Sequence, residues 1–170
     1  MEVPRNLHFL PFCRCEILVI PKSISGVLSK TAGLFARRGF NIDSLAVGET
    51  EDALTSSMTI VSTGDERTLE QIEKQLNKKL DIIKVRRLDE INCIKREVLL
   101  VKISHNKTNR ADIINICRLA GANVAQLSAQ TIIIEYYSDP ERVDELIEQL
   151  RIFGIVELAR TGTLALQKDS

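Results

Sequence analysis

The stretch that decides the fold runs from Ile17 to Val47 and reads ILVIPKSISGVLSKTAGLFARRGFNIDSLAV. Its pattern predicts a buried strand, a tight turn, an amphipathic helix that ends at a glycine, and a second strand. We expect Ser25 to cap the helix and Gly26 to let a ligand approach the backbone closely. The first amides of a helix lack intrahelical partners and its dipole favours an anion there. The turn therefore predicts either an ordinary helix cap or a site for the carboxylate of a small ligand.

Composition excludes several classes of function. Hydrophobic residues make up 44% and charged residues 27% of the 170 residues, as in ordinary globular proteins. The formal net charge is +0, which argues against an electrostatic nucleic-acid binder. The longest apolar runs, such as Ile17–Ile20 and Val98–Val101, are far shorter than the roughly 20 residues that cross a bilayer. We expect neither nucleic acid nor membrane as a partner.

The beginning of the sequence, MEVPRNLHFLPFCRC, has no long apolar core and no small-residue cleavage pattern. We therefore expect a loose tail over residues 1–15 rather than a secretory signal. Many isoleucine, lysine and asparagine residues indicate an AT-rich coding genome. The expected compartment is the plastid (chloroplast stroma) or the bacterial cytoplasm, with the plastid favoured because no targeting peptide is evident.

Residues that could perform chemistry are few. Cys13 and Cys15 form C-x-C, which lacks the two-residue spacing of a zinc knuckle, and Cys117 in an apolar helical stretch is predicted to be a small core residue. His105 and Cys117 have no third partner at a catalytic spacing. There is no Gly-rich phosphate loop, G-x-S-x-G elbow or H-E-x-x-H motif. We predict no catalytic residue and no metal site.

The order of predicted elements repeats itself. The first half is predicted to contain, in order, strand Ile17–Ile20, helix Gly26–Arg38, strands Ile42–Gly48 and Met58–Thr63, helix Glu66–Lys79 and strand Ile82–Leu88. The second half is predicted to contain strand Val98–Ile103, helix Arg110–Ala120, strands Val124–Leu127 and Thr131–Tyr137, helix Pro140–Phe153 and strand Ile155–Arg160. Each half is a β-α-β-β-α-β unit, so the predicted fold class is α+β with two tandem ferredoxin-like units. The predicted domains are residues 16–90 and 97–170, joined by a linker over 91–96.

Association is also predicted from this pattern. In the ferredoxin-like topology the first and third strands are central, and here they are continuous apolar runs, which are typical of sheets covered on both faces. A unit of this size buries too little of its own surface to be comfortably stable alone. We therefore expect contacts between the halves or between chains, with exposed edge strands as one route.

Long motifs in both halves resemble one family. The pattern S-G-x-L-S-x-x-x-G-L-F-x-R-R-G-x-N-I-x-S-L-x-V over Ser25–Val47 and GDERTLEQIEKQLNKKLDIIKV over Gly64–Val85 resemble the regulatory (small) subunits of acetolactate synthase, whose first half is an ACT domain. KREVLLVKI over Lys95–Ile103 and IVELARTGTLAL over Ile155–Leu166 are similar to their C-terminal domain. The resemblance covers about residues 16–167.

This resemblance implies a non-catalytic regulatory subunit. Its partner would be the large catalytic subunit, which carries the cofactors of the reaction: thiamine diphosphate, magnesium and FAD. The small subunit would raise the activity of that partner and confer feedback inhibition by valine or another branched-chain amino acid. The resemblance also implies a homodimer through the ACT domain (residues 16–90), with residues 97–170 contacting the catalytic subunit. A stand-alone amino-acid sensor controlling another enzyme or transcription, and a small enzyme on the same scaffold, are the alternatives.

In the family the effector lies between two ACT domains. The matching positions are Ser23, Ile24, Ser25, Gly26, Val27 and Leu28 from the turn, with Asn41 and Ile42 reaching across from the other copy. Without the resemblance, an asparagine such as Asn41 is more often a turn residue than a ligand contact. Ser23 is shorter than the Asn or Asp that the family usually has at this position. The equivalent turn of the second half, 104–107, has no glycine, so we expect no second effector site there.

Overall fold

The computed structural model describes residues 13–21, 26–52, 54–88 and 91–168. The chain divides into two compact units, Met1–Cys93 with Gln167–Ser170, and Ile94–Leu166. We call these the first unit and the second unit. Within the described residues, each has an antiparallel sheet with two helices against it.

The first unit has the predicted ferredoxin-like topology. Its elements are β1 (Cys13–Pro21), α1 (Val27–Arg38), β2 (Ser44–Glu49), β3 (Ser56–Gly64), α2 (Glu66–Asn77) and β4 (Ile82–Arg87). The strand order β2-β3-β1-β4 makes β1 and β3 central and leaves β2 and β4 as edges, as predicted. In the register of β1 and β3, Ile17 lies opposite Ile60 and Val19 opposite Met58.

The second unit repeats this arrangement and adds one strand. Its elements are β5 (Cys93–Ser104), α3 (Arg110–Ala120), β6 (Asn123–Leu127), β7 (Thr131–Ser138), α4 (Pro140–Arg151), β8 (Ile155–Arg160) and β9 (Leu164–Gln167). The order is β6-β7-β5-β8, and β9 also pairs with β5. The predicted fold class, α+β with two tandem ferredoxin-like units, is confirmed.

Each core lies between the helices and one face of its sheet. The first core consists of Cys15, Ile17, Val19, Leu34, Phe35, Met58, Ile60, Leu69, Ile72 and Leu76. The second consists of Leu99, Val101, Ile103, Ile113, Cys117, Ile132, Ile134, Tyr136, Val143, Leu146, Ile147 and Leu150. Cys117 is a small core residue, as predicted.

Helix ends follow local sequence signals in most cases. Gly39 and Gly121 end α1 and α3 in the left-handed conformation that glycine adopts most cheaply. Asp65 caps α2, because its Oδ1 accepts a hydrogen bond from the Thr68 amide at 2.8 Å, and this bonding lowers the pKa of the Asp65 carboxyl. Asp139 stands at the N-cap of α4 without a side-chain capping bond, and its carboxylate accepts instead from Arg96.

Two strands begin several residues earlier than expected, and one strand was not expected. β1 begins at Cys13, inside the predicted tail, because Gly64 and Thr63 of β3 supply pairing partners for Cys13 and Arg14. β5 begins at Cys93, inside the predicted linker, and β9 was not predicted at all. The four residues of β9 are too few to show a periodicity, and their pairing with β5 depends on residues far away in sequence.

None of the helices in the described part of the chain has the length and apolar character needed to span a bilayer.

A buried carboxylate holds β5, β8 and α4 together. Glu97 is 3% exposed and accepts two hydrogen bonds from Arg160, from Nε at 2.7 Å and from Nη2 at 2.8 Å. Nη1 of Arg160 donates to Asp144 at 2.7 Å. These hydrogen bonds raise the pKa of the Arg160 guanidinium above its usual value. Losing the arginine would leave a buried carboxylate unpaired, which is a severe penalty.

We predict that Arg160→Met lowers the free energy of unfolding by about 3–5 kcal/mol. Asp144→Asn, at the exposed end of the same hydrogen-bond network, should lower the free energy of unfolding by less than about 1 kcal/mol. The double variant Glu97→Leu/Arg160→Met should recover part of the loss, because no buried charge remains. Urea unfolding followed by circular dichroism measures all three. An Arg160→Met cost no larger than that of Asp144→Asn would contradict this account.

Candidate functional site

The corner between β1 and α1 is the first part of the candidate site. Gly26 is the N-cap of α1, with a positive φ of 78°. The expectation that Ser25 caps this helix is wrong, because the left-handed turn at Gly26 starts the helix one residue later. Ser23, Ile24 and Ser25 lie outside the described residues.

Within the part of the chain that the structure describes, the start of α1 has no side-chain cap. The first intrahelical bond runs from the Lys30 amide to the Gly26 carbonyl at 3.0 Å, so the amides of Val27, Leu28 and Ser29 precede it. Among the described residues no side chain caps these amides, and the first turn contains no acidic residue. The first turns of the other three described helices each contain an acidic residue. This corner therefore has donors and a positive dipole end that an anion would complement.

Space is available directly above Gly26. A Cβ built on this residue would have no heavy atom within 4 Å. The side chain of Val27 is buried in the fold, so this residue can contact a ligand only through its backbone, whereas Leu28 is exposed beside the corner. The corner is thus an open surface of backbone donors next to one aliphatic side chain.

Asn41 and Ile42 lie at the other end of α1, before β2 rather than in it as predicted. Nδ2 of Asn41 donates to Oδ1 of Asp43 at 2.5 Å, and the Asn41 carbonyl accepts from Oγ of Ser62 at 2.6 Å. The backbone amide of Asp43 bonds to the carbonyl of Val61, which explains why pairing with β3 begins after Ile42. Asn41 is exposed, and Ile42 packs partly against the first core.

The two parts of the predicted site are far apart within one chain. α1 contains 12 residues, so at about 1.5 Å per residue its ends are separated by about 18 Å. A single amino acid cannot bridge this distance. The structure therefore brings Gly26, Val27 and Leu28 together at one end of α1, and Asn41 and Ile42 together at the other.

The loop before α3, the equivalent position in the second unit, is bonded through its own side chains. Oδ1 of Asn106 accepts from the amides of Thr108 and Asn109 at 2.9 and 3.0 Å, and Oδ1 of Asn109 accepts from the Asn106 amide at 2.8 Å. These bonds engage amides that precede α3, and the N-cap Asn109 makes no side-chain capping bond. The two corners differ instead in their first turns, because α3 has Asp112 there and α1 has no acidic residue, and in the φ of the N-cap, 78° at Gly26 and −99° at Asn109.

Cys15 and Cys117 are buried in the cores of the two units. Burial raises the pKa of the Cys15 thiol to about 11 and that of the Cys117 thiol above its usual value, so both stay protonated at neutral pH. One nitrogen of His105, Nε2, lies 2.9 Å from the Ser128 carbonyl oxygen. Within the described residues, no group of three or more His, Cys, Asp or Glu side chains could hold a metal ion.

Two family descriptions match the sequence. Residues 17–84 match the AHAS small subunit-like ACT domain, and residues 96–169 match the small subunit of acetolactate synthase. The boundary between the two matches falls near the start of β5.

Individual proteins of the same kind are similar over most of the chain. A probable acetolactate synthase small subunit of Methanothermobacter thermautotrophicus is 44% identical over 146 residues, covering 85% of this chain and 87% of that protein. The Mycolicibacterium smegmatis small subunit is 40% identical, covering 88% of each. The chloroplastic small subunit 2 of Arabidopsis thaliana is 39% identical over 92% of this chain and 32% of that protein.

A solved structure is similar in fold as well as sequence. The crystal structure of the acetolactate synthase small subunit from Thermotoga maritima has a TM-score of 0.84 and 32% identity, covering 93% of this chain and 99% of that one.

The buried Cys15 thiol predicts a loss of stability at alkaline pH. Between pH 9 and pH 11 the unfolded chain loses the thiol proton that the folded chain keeps, so stability falls as pH rises. One proton corresponds to a slope of at most about 1.4 kcal/mol per pH unit. Cys15→Ala has no thiol at this position, so its free energy of unfolding should lack this fall with pH. Urea unfolding of both proteins from pH 8 to 11 measures the two free energies. If they changed with pH in the same way, the raised pKa of Cys15 would be contradicted.

Proposed function

The chain belongs to the family of acetolactate synthase small subunits, and we propose that it activates the large catalytic subunit and confers feedback inhibition by valine or another branched-chain amino acid. The chain itself performs no turnover in this proposal. Thiamine diphosphate, magnesium and FAD belong to the catalytic partner. The expected compartment is the plastid stroma or the bacterial cytoplasm; the family includes both bacterial and chloroplastic members.

The uncapped start of α1 carries the proposal. The carboxylate of the effector would accept hydrogen bonds from the amides of Val27, Leu28 and Ser29, at the positive end of the helix dipole. Leu28 would contact its aliphatic side chain. Selection between valine, leucine and isoleucine then depends on a methylene group or a branch, which is worth roughly 1–3 kcal/mol.

The length of α1 supports a site shared by two copies. Because Asn41 follows the far end of α1, a helix about 18 Å long, we infer that it reaches an effector at the corner of another copy. Asp43 engages the Nδ2 donor of Asn41, so the amide oxygen is the group that Asn41 offers to the effector's ammonium. The carboxylate of Asp43 adds a negative charge nearby. Together the two copies would supply partners for both charges of the amino acid.

The edge strands indicate how the copies pair. β4 carries Lys84, Arg86 and Arg87 and has a register irregularity, features that protect an edge from pairing. β2 (SLAVGE) has a single charged residue, at its end. We therefore propose that β2 pairs antiparallel with β2 of the second copy. This twofold arrangement brings the Asn41 end of one copy toward the corner of the other.

Feedback inhibition requires the effector to bind one arrangement of the complex better than another. A typical coupling of this kind is about 1–3 kcal/mol, which corresponds to roughly 5–150-fold in affinity. The effector site joins two chains, so its occupation can change how the copies are held relative to each other.

Gly26 variants test the effector site. Gly26→Asp places a negative charge where the carboxylate should bind, whereas Gly26→Asn adds a side chain of similar shape without charge; both residues tolerate positive φ. With an acetolactate synthase large subunit, both variants should still stimulate acetolactate formation. The valine concentration for half inhibition should rise at least about tenfold more for Gly26→Asp than for Gly26→Asn. Full valine sensitivity of Gly26→Asp would rule out this site.

Lysine substitutions on the two edges test the dimer. Val47 on β2 is 37% exposed and Ile83 on β4 is 54% exposed, so lysine is accommodated at both. Val47→Lys should raise the dimer dissociation constant at least about tenfold, since a lysine on an edge opposes strand pairing. Ile83→Lys is the matched control and should leave the dimer dissociation constant unchanged. Sedimentation velocity over a concentration series measures both; equal effects, or none, would count against pairing through β2.

A further inference from the structure

A groove opens in the second unit between α3 and α4, where residues of both helices and of β7 line it. Its volume is about 480 Å³. Cavities of this order are typical of sites for small molecules. The groove has no part in the proposed function, which uses the corner at Gly26 in the first unit. It is therefore a separate candidate site.

Both signs of charge line the groove. Its polar side chains are those of Tyr136, Arg142, Glu145 and Gln149. Arg151 and Asp144 of the same helix have ion-pair partners, whereas Arg142 and Glu145 have none among the described residues. The cation and the anion on this wall are thus each available to the opposite charge of a ligand.

The groove also has an aliphatic wall. Leu119, in the last turn of α3, is 90% exposed, and the buried Leu146 lines the groove from α4. Covering a side chain as exposed as Leu119 removes apolar surface from water, which favours binding. The carbonyl end of α3, at Ala120, also borders the groove, and the helix dipole favours a cation there.

We propose that this groove binds an aliphatic α-amino acid as its zwitterion. The carboxylate of the ligand accepts hydrogen bonds from the Arg142 guanidinium, whose fork of donors matches a carboxylate. The ammonium donates to the Glu145 carboxylate near the negative end of α3, and the aliphatic side chain packs against Leu119 and Leu146. Arg142 and Glu145 are three residues apart on α4, which places their Cβ atoms about 5–6 Å apart. The two charged groups of an α-amino acid are joined through one carbon atom, so a single molecule reaches both residues.

The first unit shows that the fold forms without these charges. Both α2 and α4 begin one residue after an N-cap aspartate, so their positions can be compared directly. At the positions of Arg142 and Glu145 the first unit has Thr68 and Gln71, which are uncharged. The two charges are therefore not a requirement of the repeated fold, which supports their role in recognising a ligand.

Titration of leucine into the deuterated, ¹⁵N-labelled full-length chain tests this inference. Saturable shifts are expected for the backbone amide of Ala120 and for the side-chain amide of Gln149. Arg142→Gln and Glu145→Gln should each raise the dissociation constant of leucine at the groove at least about tenfold. Arg151→Gln, on the same helix but outside the groove, is the matched control and should leave that constant unchanged. Circular dichroism checks that every variant is folded.

Two analogues of leucine test whether both charges are recognised. Leucinamide lacks the carboxylate and isocaproate lacks the ammonium, so each should bind the groove at least about tenfold more weakly than leucine. Equal binding of all three molecules would overturn the proposal, because the groove would then recognise only their common aliphatic part.

Two further results would overturn the proposal: the absence of saturable shifts at the groove, and an unchanged affinity of Arg142→Gln and Glu145→Gln. The inference does not rest on the proposed function, and the same spectra separate the two. Shifts at residues 27–29 report on the corner of the first unit. Leucine shifts confined to residues 27–29 would therefore exclude the groove and leave the proposed function standing.

Discussion

Gly26 begins α1 with a positive φ, and this backbone conformation controls what the corner can bind. Glycine adopts it at little cost, whereas a residue with a side chain would be strained. Because the N-cap residue is a glycine, it has no side-chain oxygen to accept hydrogen bonds from the first helical amides. The second unit is different: Asn106 and Asn109 bond the loop that precedes α3, and the first turn of α3 contains Asp112, whose charge opposes an anion. The same fold therefore has two corners that differ in the charge of the first helical turn and in the conformation of the N-cap.

The length of one helix connects this corner to assembly. An amino acid has two charged groups, and the amides of the corner complement only the carboxylate. The group proposed to accept from the ammonium, Asn41 beside Asp43, is at the far end of α1. A chain of this design completes its proposed site only by association with another copy, which links effector binding to quaternary structure. The contrast between the charged edge β4 and the nearly uncharged edge β2 indicates which edge serves this purpose.

Sequence patterns predicted the parts of the fold that local chemistry determines. The bounds of α3 and β8 agree with prediction because local residues signal them. Arg110 begins α3, Gly121 follows its last residue, and Gly154 directly precedes β8. β9 and the start of β1 depend on partners far away in the chain, which a single-sequence pattern does not show. For the site, the motif identified Gly26 and its neighbours, but neither the cap position nor the Asn41–Asp43 hydrogen bond is visible in a sequence.

The central claim is that free amides at the start of α1 receive the effector's carboxylate. Titration of valine into ¹⁵N-labelled protein, followed by the amide resonances, tests it most directly. The account predicts saturable shifts at Val27, Leu28 and Ser29, and none at Thr108 and Asn109, whose amides are already bonded to Asn106. Saturable binding of valine with unshifted resonances at residues 27–29, or no binding at all, would contradict it.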